Sequence, residues 1–367
     1  MRFPEFTEEW ENITIREACS EFQSGKNIKA EMISVQGLYP VYGGNGLRGF
    51  TESYNHDGDY ILIGRQGALC GNIRKVTGRT YVTEHAIAVC ASKEHETTFL
   101  QYLFQKMRLG QYSDQSAQPG LAVNKLLRLN INIPSKIEQA KIAKILSLID
   151  ERIATQNKII ERYESLIRGI NQYAFTNTGI NYKLGEICEI RSGYSGNQLT
   201  LKNGLKVSRI ETISGHKVNM ERVGYVAPFE SSENYRLQIG DILFSNINSV
   251  EYIGNTAFID KDYNLYHGMN LLRLIPKKEL VIPFYLYLVL NTNRLLNHFK
   301  TVCNKAVSQA SINQTELGKT IVLIPNLMNQ NRICELFQTL YTKLEAERYF
   351  ISLLHDQKQH LLRQMFI

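Results

Sequence analysis

The stretch SKIEQAKIAKILSLIDERIATQNKIIERYESLIRGINQYAF, residues 135–175, decides the fold, because its apolar side chains recur at alternating intervals of three and four residues. This spacing is typical of the seam of a left-handed coiled coil and predicts one long helix. The seam contains a single polar residue, Gln156, and consists of Leu146, Ile149, Ile153, Gln156, Ile160, Tyr163, Ile167, Ile170 and Ala174.

The pattern occurs a second time in residues 326–366, NLMNQNRICELFQTLYTKLEAERYFISLLHDQKQHLLRQMF. Adding 191 to each position of the first seam gives a second seam, in which only Glu347 and Lys358 are polar. Because the spacing is repeated with a constant offset, we expect two equivalent long helices. The second seam consists of Phe337, Leu340, Leu344, Glu347, Ile351, Leu354, Lys358, Leu361 and Met365.

The starts of the two helices are repeated as well. Pro134 and Pro325 end the preceding strands, and Gln139 and Gln330 each follow that proline by five residues. Asn326 is a favoured N-cap residue for the second helix.

The polar positions Gln156 and Glu347 each lie near the midpoint of their helix. If the helices pair antiparallel about a two-fold axis, these side chains meet at its centre, where a buried polar pair fixes register at some cost in stability. The alternative is that both lie at the rim of the pair and are solvated. A helix of this length extends over roughly 60 Å, so the pair would be a stiff spacer.

The composition is that of an ordinary globular protein. A chain of 367 residues with 43% hydrophobic and 21% charged residues is long enough for two domains. The net charge of +7 permits a nucleic-acid partner without requiring one. No signal pattern and no run long enough to span a bilayer is found, so we expect a cytoplasmic protein. Six cysteines form no CxxC pair, and we expect free thiols and no metal site.

The segments that precede the two helices also repeat. IREAC at 15–19 has its counterpart in LGEIC at 184–188, and GDYIL at 58–62 matches GDILF at 240–244. Scaffold residues repeat while exposed polar residues differ, as expected of two copies of one fold with different surfaces. The fold class is therefore predicted as α/β (α+β), with two mixed α/β domains in tandem. Each domain is followed by a long helix, and the helices pair as an antiparallel coiled coil with pseudo-two-fold symmetry.

The predicted boundaries are a first domain at 1–134, a first spacer helix at 135–178, a second domain at 179–325 and a second helix at 326–367. Within the domains, β-branched and aromatic residues predict strands at 59–64 and 79–91, and apolar periodicity predicts helices at 97–108 and 283–291.

Glycine-rich turns at 42–46 and 64–67 allow the backbone to approach a partner closely, and they lie beside basic and polar residues. The alternative is that they are plain hairpin turns. His85 and His267, at the ends of comparable strands, are candidates for contacts on a recognition surface. The alternative, which we favour, is that each satisfies a backbone group within its own domain.

Motifs for catalysis are matched only in part. NQTELGKT at 313–320 ends like a phosphate loop, but it lacks the first glycine and leads into a predicted strand at 320–324, whereas a phosphate loop opens a helix. HETTF at 95–99 lacks the second histidine of a zinc protease helix. We therefore expect no catalysis by this chain.

This architecture, together with RFPEF at 2–6, QASIN at 309–313 and LGKT at 317–320, closely resembles the specificity subunit of type I restriction-modification systems. The resemblance covers essentially the whole chain. It implies two target recognition domains, each of which reads one half of a split DNA sequence in the major groove. It also implies that the paired helices separate these domains and dock other subunits.

The partners implied by the resemblance are double-stranded DNA, two modification subunits and, through these, restriction subunits. No cofactor is implied in this chain, whereas S-adenosylmethionine, ATP and Mg are expected in the partner subunits. Methylation and cleavage would then be carried out by other chains.

A bipartite site needs two readers at a fixed separation, because the gap between half-sites must match the helical repeat of the duplex. Arg, Asn and Gln reach base edges, and basic side chains contact phosphates. From loop position and residue type we predict DNA contacts by Tyr42, Asn45, Arg48, Arg65, Gln66 and Arg74 in the first domain and by Arg191, Tyr194, Asn197, Arg209, Asn246 and Asn248 in the second.

Two other functions remain open. One is a coiled-coil scaffold protein whose two domains bind proteins or small molecules, and the other, less favoured, is a stand-alone methyltransferase. Salt-dependent DNA affinity with a copurifying methyltransferase would exclude the first. Failure of the isolated chain to bind S-adenosylmethionine would exclude the second.

Overall fold

The chain divides into two units by its internal contacts. Unit 1 comprises Met1–Lys158 together with Glu347–Ile367, and unit 2 comprises Ile159–Ala346. A computed structural model describes residues 2–114, 119–175, 179–200, 203–305 and 309–366. The predicted boundaries at 1, 178 and 367 lie outside these ranges, and the predicted division into four segments stays a prediction.

In the described part of unit 1, nine short strands and three short helices precede the first long helix. The strands are β1 (Glu11–Thr14), β2 (Cys19–Ser24), β3 (Tyr39–Gly43), β4 (Gly46–Thr51), β5 (Asp59–Gly64), β6 (Ile73–Thr77), β7 (Tyr81–Val82), β8 (Ala86–Ala91) and β9 (Asn130–Ile133). The helices are α1 (Ile15–Ala18), α2 (Thr97–Met107), α3 (Val123–Leu126) and the long α4 (Lys136–Tyr173), with 3-10 turns at Ala30–Met32 and Leu109–Tyr112.

The centre of unit 1 is an antiparallel sheet in the order β2-β8-β5-β6. Alternate side chains of β5 and β8, such as Ile61, Ile63 and Val89, point to one face and are fully buried. Phe99 of α2 and Leu146 of α4 belong to the same core cluster, so the helices cover this face of the sheet. A second sheet, β4-β3-β7, and the pair β1-β9 complete the unit.

Unit 2 repeats the plan, and its described residues form eleven strands. They are β10 (Ile180–Lys183), β11 (Cys188–Ser192), β12 (Leu205–Val207), β13 (Gly224–Val226), β14 (Ile242–Ser245), β15 (Ile247–Asn248), β16 (Thr256–Phe258), β17 (Leu271–Pro276), β18 (Asn304–Lys305), β19 (Ala310–Ser311) and β20 (Ile321–Ile324). The helices are α5 (Leu184–Ile187), α6 (Pro283–Leu290), α7 (Asn293–Val302), α8 (Gln314–Gly318) and the long α9 (Leu327–Met365), with 3-10 turns at Ile210–Ile213, Met220–Arg222 and Ser232–Tyr235.

The main sheet of unit 2 has the order β11-β17-β14-β16, which matches that of unit 1 strand for strand. The pair β10-β20 likewise corresponds to β1-β9. Phe244 and Leu274 of this sheet pack in one core cluster with Tyr285 of α6 and Cys334 of α9. The predicted fold class, two mixed α/β domains in tandem with long helices, is confirmed.

The two long helices each run without a break through both units. All eighteen seam positions are buried or half-buried. At the start of α9, the Asn326 side chain accepts a hydrogen bond from the N–H of Asn329 at 2.9 Å, as an N-cap residue does. In unit 1 the end of α9 packs antiparallel against the first part of α4, because Gln156 contacts Glu347 while Asp150 contacts Lys358. Ile149, Ile153 and Leu354 form the apolar contact between them.

The repeated glutamines perform the same task in each unit. The Gln139 amide donates to the carbonyl of Pro134 at 2.8 Å and accepts from the N–H of Glu96, the N-cap of α2, at 3.0 Å. Gln330 donates to the carbonyl of Pro325 at 2.8 Å and accepts from Ile282, the N-cap of α6, at 2.7 Å. Each glutamine is buried and joins the start of a long helix to the start of a domain helix.

The predicted strand at 79–91 is two strands that belong to different sheets. β7 pairs in parallel with β3, whereas β8 lies in the main sheet between β2 and β5. A turn closed by a 3.0 Å bond from the N–H of Ala86 to the carbonyl of Thr83 separates them. Residues with high β propensity occur in both strands, and propensity does not indicate the strand with which each one pairs, so the sequence does not show the change of sheet.

No described helix is long and apolar enough to cross a membrane.

Candidate nucleic-acid interface

Three predicted contact residues of unit 1 converge at the hairpin of β3 and β4. A Cβ atom on Gly46, whose φ is +102°, would lie 3.1 Å from Nη2 of Arg74, and one on Gly43 would lie 2.9 Å from Cδ of Arg48. Tyr42 precedes this turn and is half-buried. The two arginine side chains therefore flank one glycine-rich turn, although they come from β4 and β6.

The loop after β5 carries Arg65 and Gln66 to the same end of the sheet. The N–H of Arg65 donates to the carbonyl of His85 at 2.9 Å, and the N–H of Leu121 donates to the carbonyl of Arg65 at 2.9 Å. Gln66 is exposed, and its Oε1 lies 3.2 Å from Nδ1 of His85. Backbone pairing thus holds the loop while leaving polar side chains at the surface.

Gly44 and Gly64 allow neighbouring segments of the backbone to pack closely. A Cβ on Gly64 would lie 2.4 Å from the carbonyl oxygen of Leu69 and 2.9 Å from that of Gly44. Asn45 is exposed next to this contact. Around Gly67, at φ +80°, no atom lies within 4 Å of the added Cβ, so this position is open.

In unit 2, Arg191 lies in β11 and Tyr194 lies two residues after the end of this strand. Both guanidinium contacts of Arg191 go to Glu189, at 2.6 and 3.1 Å. The ring of Tyr194 stacks on Phe229 with a centroid distance of 3.9 Å, and its N–H donates to the carbonyl of His267. Tyr194 thus uses one ring face for packing, while the Arg191 side chain remains about half exposed.

Arg209 and Asn197 lie near the β12–β13 hairpin. A Cβ on Gly224 would lie 3.0 Å from Cδ of Arg209 and 2.9 Å from Oε1 of Gln198, the neighbour of Asn197. Both Arg209 and Asn197 are exposed, and Arg209 forms a 3.5 Å ion pair with Glu211. The antiparallel pair β12–β13 lies between β11 and β14 in the chain, as the β3–β4 hairpin of unit 1 lies between β2 and β5.

Asn246 and Asn248 lie at a second place in unit 2, where β15 pairs with β19. The carbonyl of Asn246 accepts from the N–H of Ile312 at 2.9 Å, and Asn248 donates to Oγ of Ser245 at 3.0 Å. The side-chain oxygen of Asn246 is buried without a hydrogen-bond partner among the described residues.

The two candidate histidines differ. His267 is buried, its Nε2–H donates to the carbonyl of Leu271 at 2.9 Å, and burial lowers its pKa to about 4. This agrees with the satisfaction of a backbone group inside the domain. His85 is partly exposed beside Glu84 and Gln66, so it lies among the candidate contact residues of unit 1.

Equivalent aspartates of the two units also differ. Asp59 is half exposed and pairs with Lys75 at 3.0 Å, which lowers the pKa of its carboxyl. Asp241 pairs with Arg273 at 2.7 Å and both are buried, and burial raises the pKa of Asp241 despite the arginine. The buried pair belongs to the structure of unit 2, since desolvation makes such a pair costly to form.

Each of the two partial motifs includes the start of a helix, α8 for residues 313–320 and α2 for residues 95–99. Residues 314–318 of the phosphate-loop lookalike form α8, with Asn313 as its N-cap, and the following segment is β20. Within the described ranges no group of three or more His, Cys, Asp or Glu side chains is arranged to hold a metal ion. The six cysteines are free thiols.

Some basic residues that face a common groove were missed by the sequence analysis. Lys106 and Arg108 lie at the end of α2, and Lys358 and Arg363 lie near the end of α9. They are separated by about 250 positions in the chain, so only the fold brings them together. No local pattern in the sequence could have identified them as one group.

Two units of one topology, each with polar side chains on the loops at the ends of its main sheet, define a two-domain recognition protein. The family described as type I restriction modification DNA specificity domain matches residues 7–165 and 180–350. The chain belongs to this family and carries two such domains in tandem.

Two relatives with similar sequences are described as specificity subunits. The putative type I restriction enzyme MjaX specificity subunit of Methanocaldococcus jannaschii is 38% identical over 188 residues, which are 50% of this chain and 44% of that protein. The type I restriction enzyme EcoprrI specificity subunit of Escherichia coli is 46% identical over 113 residues, 31% of this chain and 28% of that one. The matches span less than half of the length of these two relatives.

The fold is that of a solved structure. The crystal structure of the S subunit of a type I restriction-modification system from M. genitalium aligns over 100% of this chain and 99% of that one, with a TM-score of 0.67 and 18% identity. At this identity the likeness describes the fold alone.

Proposed function

We propose that this chain is the DNA-reading subunit of a type I restriction-modification complex. Each unit reads one half of a split site, and the chain performs no catalysis of its own. The proposal rests mainly on the two main sheets. They have the same strand order, but the loops at their ends carry different polar side chains. Two copies of one scaffold with different surfaces suit two different half-sites.

The long helices supply the separation that such a site requires. The gap between half-sites must match the repeat of the duplex, so the two readers must be held by a stiff element. α4 contains 38 residues and α9 contains 39, and each spans the boundary between the units as a continuous helix. Each is therefore nearly 60 Å long at about 1.5 Å per residue.

The partners would dock on the helices. In unit 2, Arg162, Leu166, Ile170 and Tyr173 of α4 line an open groove of about 670 Å³. Leu166 is about half exposed and Tyr173 is largely exposed. Exposed apolar surface of this kind is typical of protein interfaces. We assign it to a modification subunit, which would supply S-adenosylmethionine chemistry, while restriction subunits would bring ATP and Mg.

The test is the pattern of base modification in cells that express the chain with its modification subunits. Genome sequencing that detects methylated bases should show a split motif with a fixed gap, absent when the gene of this chain is deleted. A continuous motif, or methylation that persists after deletion, would contradict the proposal. Copurification without DNA binding would instead favour a scaffold protein.

A further inference from the structure

A groove of about 650 Å³ in unit 1 lies between the end of α2, the turn that leads into β6 and the last turns of α9. Its lining includes the basic residues Lys106, Arg108, Lys358 and Arg363. None of the described residues that line it carries a carboxylate. The groove is therefore a concentration of positive charge within unit 1.

Three of the four cations are available to an external anion. Lys358 is half-buried, pairs with Asp150 at 2.6 Å and lies 5.3 Å from the centroid of the Tyr102 ring. Lys106, Arg108 and Arg363 are exposed, and none has a carboxylate partner within the described part of the chain. A chain of phosphates placed there would meet uncompensated charge.

Helix ends account for part of this arrangement. The partial negative charge at a helix C-terminus favours basic side chains there, and both α2 and α9 end near the groove. Arg108, however, adopts φ 49° and ψ 62°, a left-handed conformation in which glycine or asparagine is usual at this cap. The dipole explains a cation at each helix end, but not why both ends present cations to one groove.

Unit 2 shows that the fold does not require these charges. The N-caps of α2 and α6 are equivalent, since Gln139 and Gln330 bind them alike, but α6 ends at Leu290, before the position that corresponds to Lys106. The offset of 191 places Ile167 and Gln172 at the positions of Lys358 and Arg363. At the cap where α2 has Arg108, α6 has the uncharged residue Asn291.

The equivalent place in unit 2 is closed by the chain itself. Asn171 of α4 donates to the carbonyl of Asn291 at 3.2 Å, and Asn291 donates to Oγ1 of Thr256 at 2.6 Å. The Tyr287 hydroxyl donates to the carbonyl of His216 at 3.0 Å, which holds a further loop there. The open basic groove is thus a feature of unit 1.

The groove adjoins the predicted reading loops. Gly71 and Asn72 line it, and they belong to the same β5–β6 turn as Arg65 and Gln66. The N–H of Gly71 donates to the carbonyl of Gly64 at 2.7 Å, so the two ends of this turn are joined. We infer that the groove binds the sugar-phosphate backbone of duplex DNA beside the half-site that unit 1 reads. This inference rests on the proposed function and adds a sequence-independent contact to it.

The test compares a triple variant, Lys106→Gln, Arg108→Gln and Arg363→Gln, with wild type in the full chain bound to its modification subunits. DNA affinity is measured over a range of salt concentrations. Each lost phosphate contact lowers the slope of log K against log salt by about 0.9, so three lower it by roughly 2.7 and weaken binding at 0.15 M salt on the order of a hundredfold. The loss should be equal for the recognised site and for a scrambled duplex.

The matched control is Arg16→Gln, Lys93→Gln and Lys136→Gln. All three are exposed, and Lys136 donates to the carbonyl of Lys93, which precedes α2 at the end away from the groove. The control should keep the wild-type slope. A charge-keeping variant, Lys106→Arg with Arg108→Lys and Arg363→Lys, should keep it as well, and unchanged thermal unfolding excludes misfolding.

An unaltered slope in the groove variant, with wild type reading its site normally, would overturn this inference and leave the proposed function intact. Loss of a partner subunit with unaltered DNA binding by the remaining complex would show that the groove binds protein, and would also overturn it. Failure of wild type to discriminate any site would refute the proposed function itself. If the triple variant unfolds, the single variants Lys106→Gln and Arg363→Gln give the same readout, each with a slope change of about 0.9.

Discussion

The side-chain amide of Gln156 donates to the backbone carbonyl of Glu347 at 3.3 Å and also to its carboxylate. The two residues are equivalent positions of the repeat, and both lie in unit 1. Gln156 is buried and Glu347 is half-buried, so this polar contact is inserted in an otherwise apolar seam. A polar pair of this kind fixes register at the expense of stability.

Replacing both residues by leucine should therefore stabilise the pairing of the helices and weaken its register. We expect Gln156→Leu with Glu347→Leu to increase the free energy of unfolding by about 1 kcal/mol, since an apolar contact replaces a partly desolvated polar one. Chemical denaturation of the full chain measures this change. The single variant Gln156→Leu should gain less, because Glu347 loses its partner. Lower stability of the double variant would show that the polar pair stabilises the helices.

The seam itself predicts the effect of a buried charge. Ile153 and Leu344 are both buried, so lysine at both positions places unpaired ammonium groups in apolar contacts. We expect Ile153→Lys with Leu344→Lys to abolish assembly with the modification subunits, measured by copurification. The control Ala154→Lys with Ala346→Lys adds the same charge at exposed neighbouring positions and should assemble normally. Normal assembly of the seam variant would refute the spacer function of the helices.

The glutamine at the start of each long helix should be important for stability. Gln139→Ala leaves the carbonyl of Pro134 and the N–H of Glu96 without their partner, and buried unpaired groups cost about 1–3 kcal/mol each. We expect a loss of roughly 2–4 kcal/mol in the free energy of unfolding, measured with urea. Lys144→Ala on the exposed face of α4 should change it by less than about 0.5 kcal/mol. Equal stability of the two variants would contradict this role of Gln139.

His267 should make unit 2 sensitive to acid. Its pKa is about 4 in the folded protein, below the ordinary 6.5, so the unfolded chain binds the proton more tightly. The contribution of His267 to the free energy of unfolding is thus constant above about pH 6.5 and falls as the pH decreases from 6.5 to 4, by up to about 3 kcal/mol.

His267→Gln should remove this part of the pH dependence, as measured by urea unfolding at pH 7 and pH 4.5. Carboxylates that lose partners in acid also contribute, so the informative quantity is the difference between variant and wild type at each pH. His360→Gln, at an exposed position of α9, is the control and should follow wild type. An unchanged pH dependence in His267→Gln would show that its ring becomes charged without cost.

The repeat and the seam could be predicted from the sequence because both depend on periodicity alone. The strand of residues 59–64 and the helix that begins at Thr97 were predicted for the same reason, since their patterns are local. What could not be predicted depends on chain segments that are distant in sequence. Asp59 and Asp241 each follow an equivalent glycine, yet only Asp241 is buried. Its partner Arg273 donates to the carbonyl of Asn234, which lies in the connection between β13 and β14.

The candidate contact residues were chosen by residue type and loop position, and they stay predictions. The structure places those of unit 1 around one group of loops, whereas those of unit 2 fall into separate places. Tyr194 illustrates the limit of this choice, because its stacking on Phe229 depends on a residue 35 positions away that no local pattern indicates. The basic groove was missed for the same reason.

The reading of separate half-sites is tested most directly in unit 1. Arg65 and Gln66 lie on one turn and their backbone is held by His85 and Leu121, so Arg65→Ala with Gln66→Ala removes side chains without releasing the loop. We expect binding to a duplex with the intact first half-site to fall by about ten- to a hundredfold, since the loss of even one good base contact costs about 1–3 kcal/mol. Discrimination against changes in the other half-site should be unaltered, because unit 2 is unchanged. The control Arg191→Ala should show the reverse pattern. Equal loss of discrimination at both half-sites in either variant would mean that the two units do not read DNA independently.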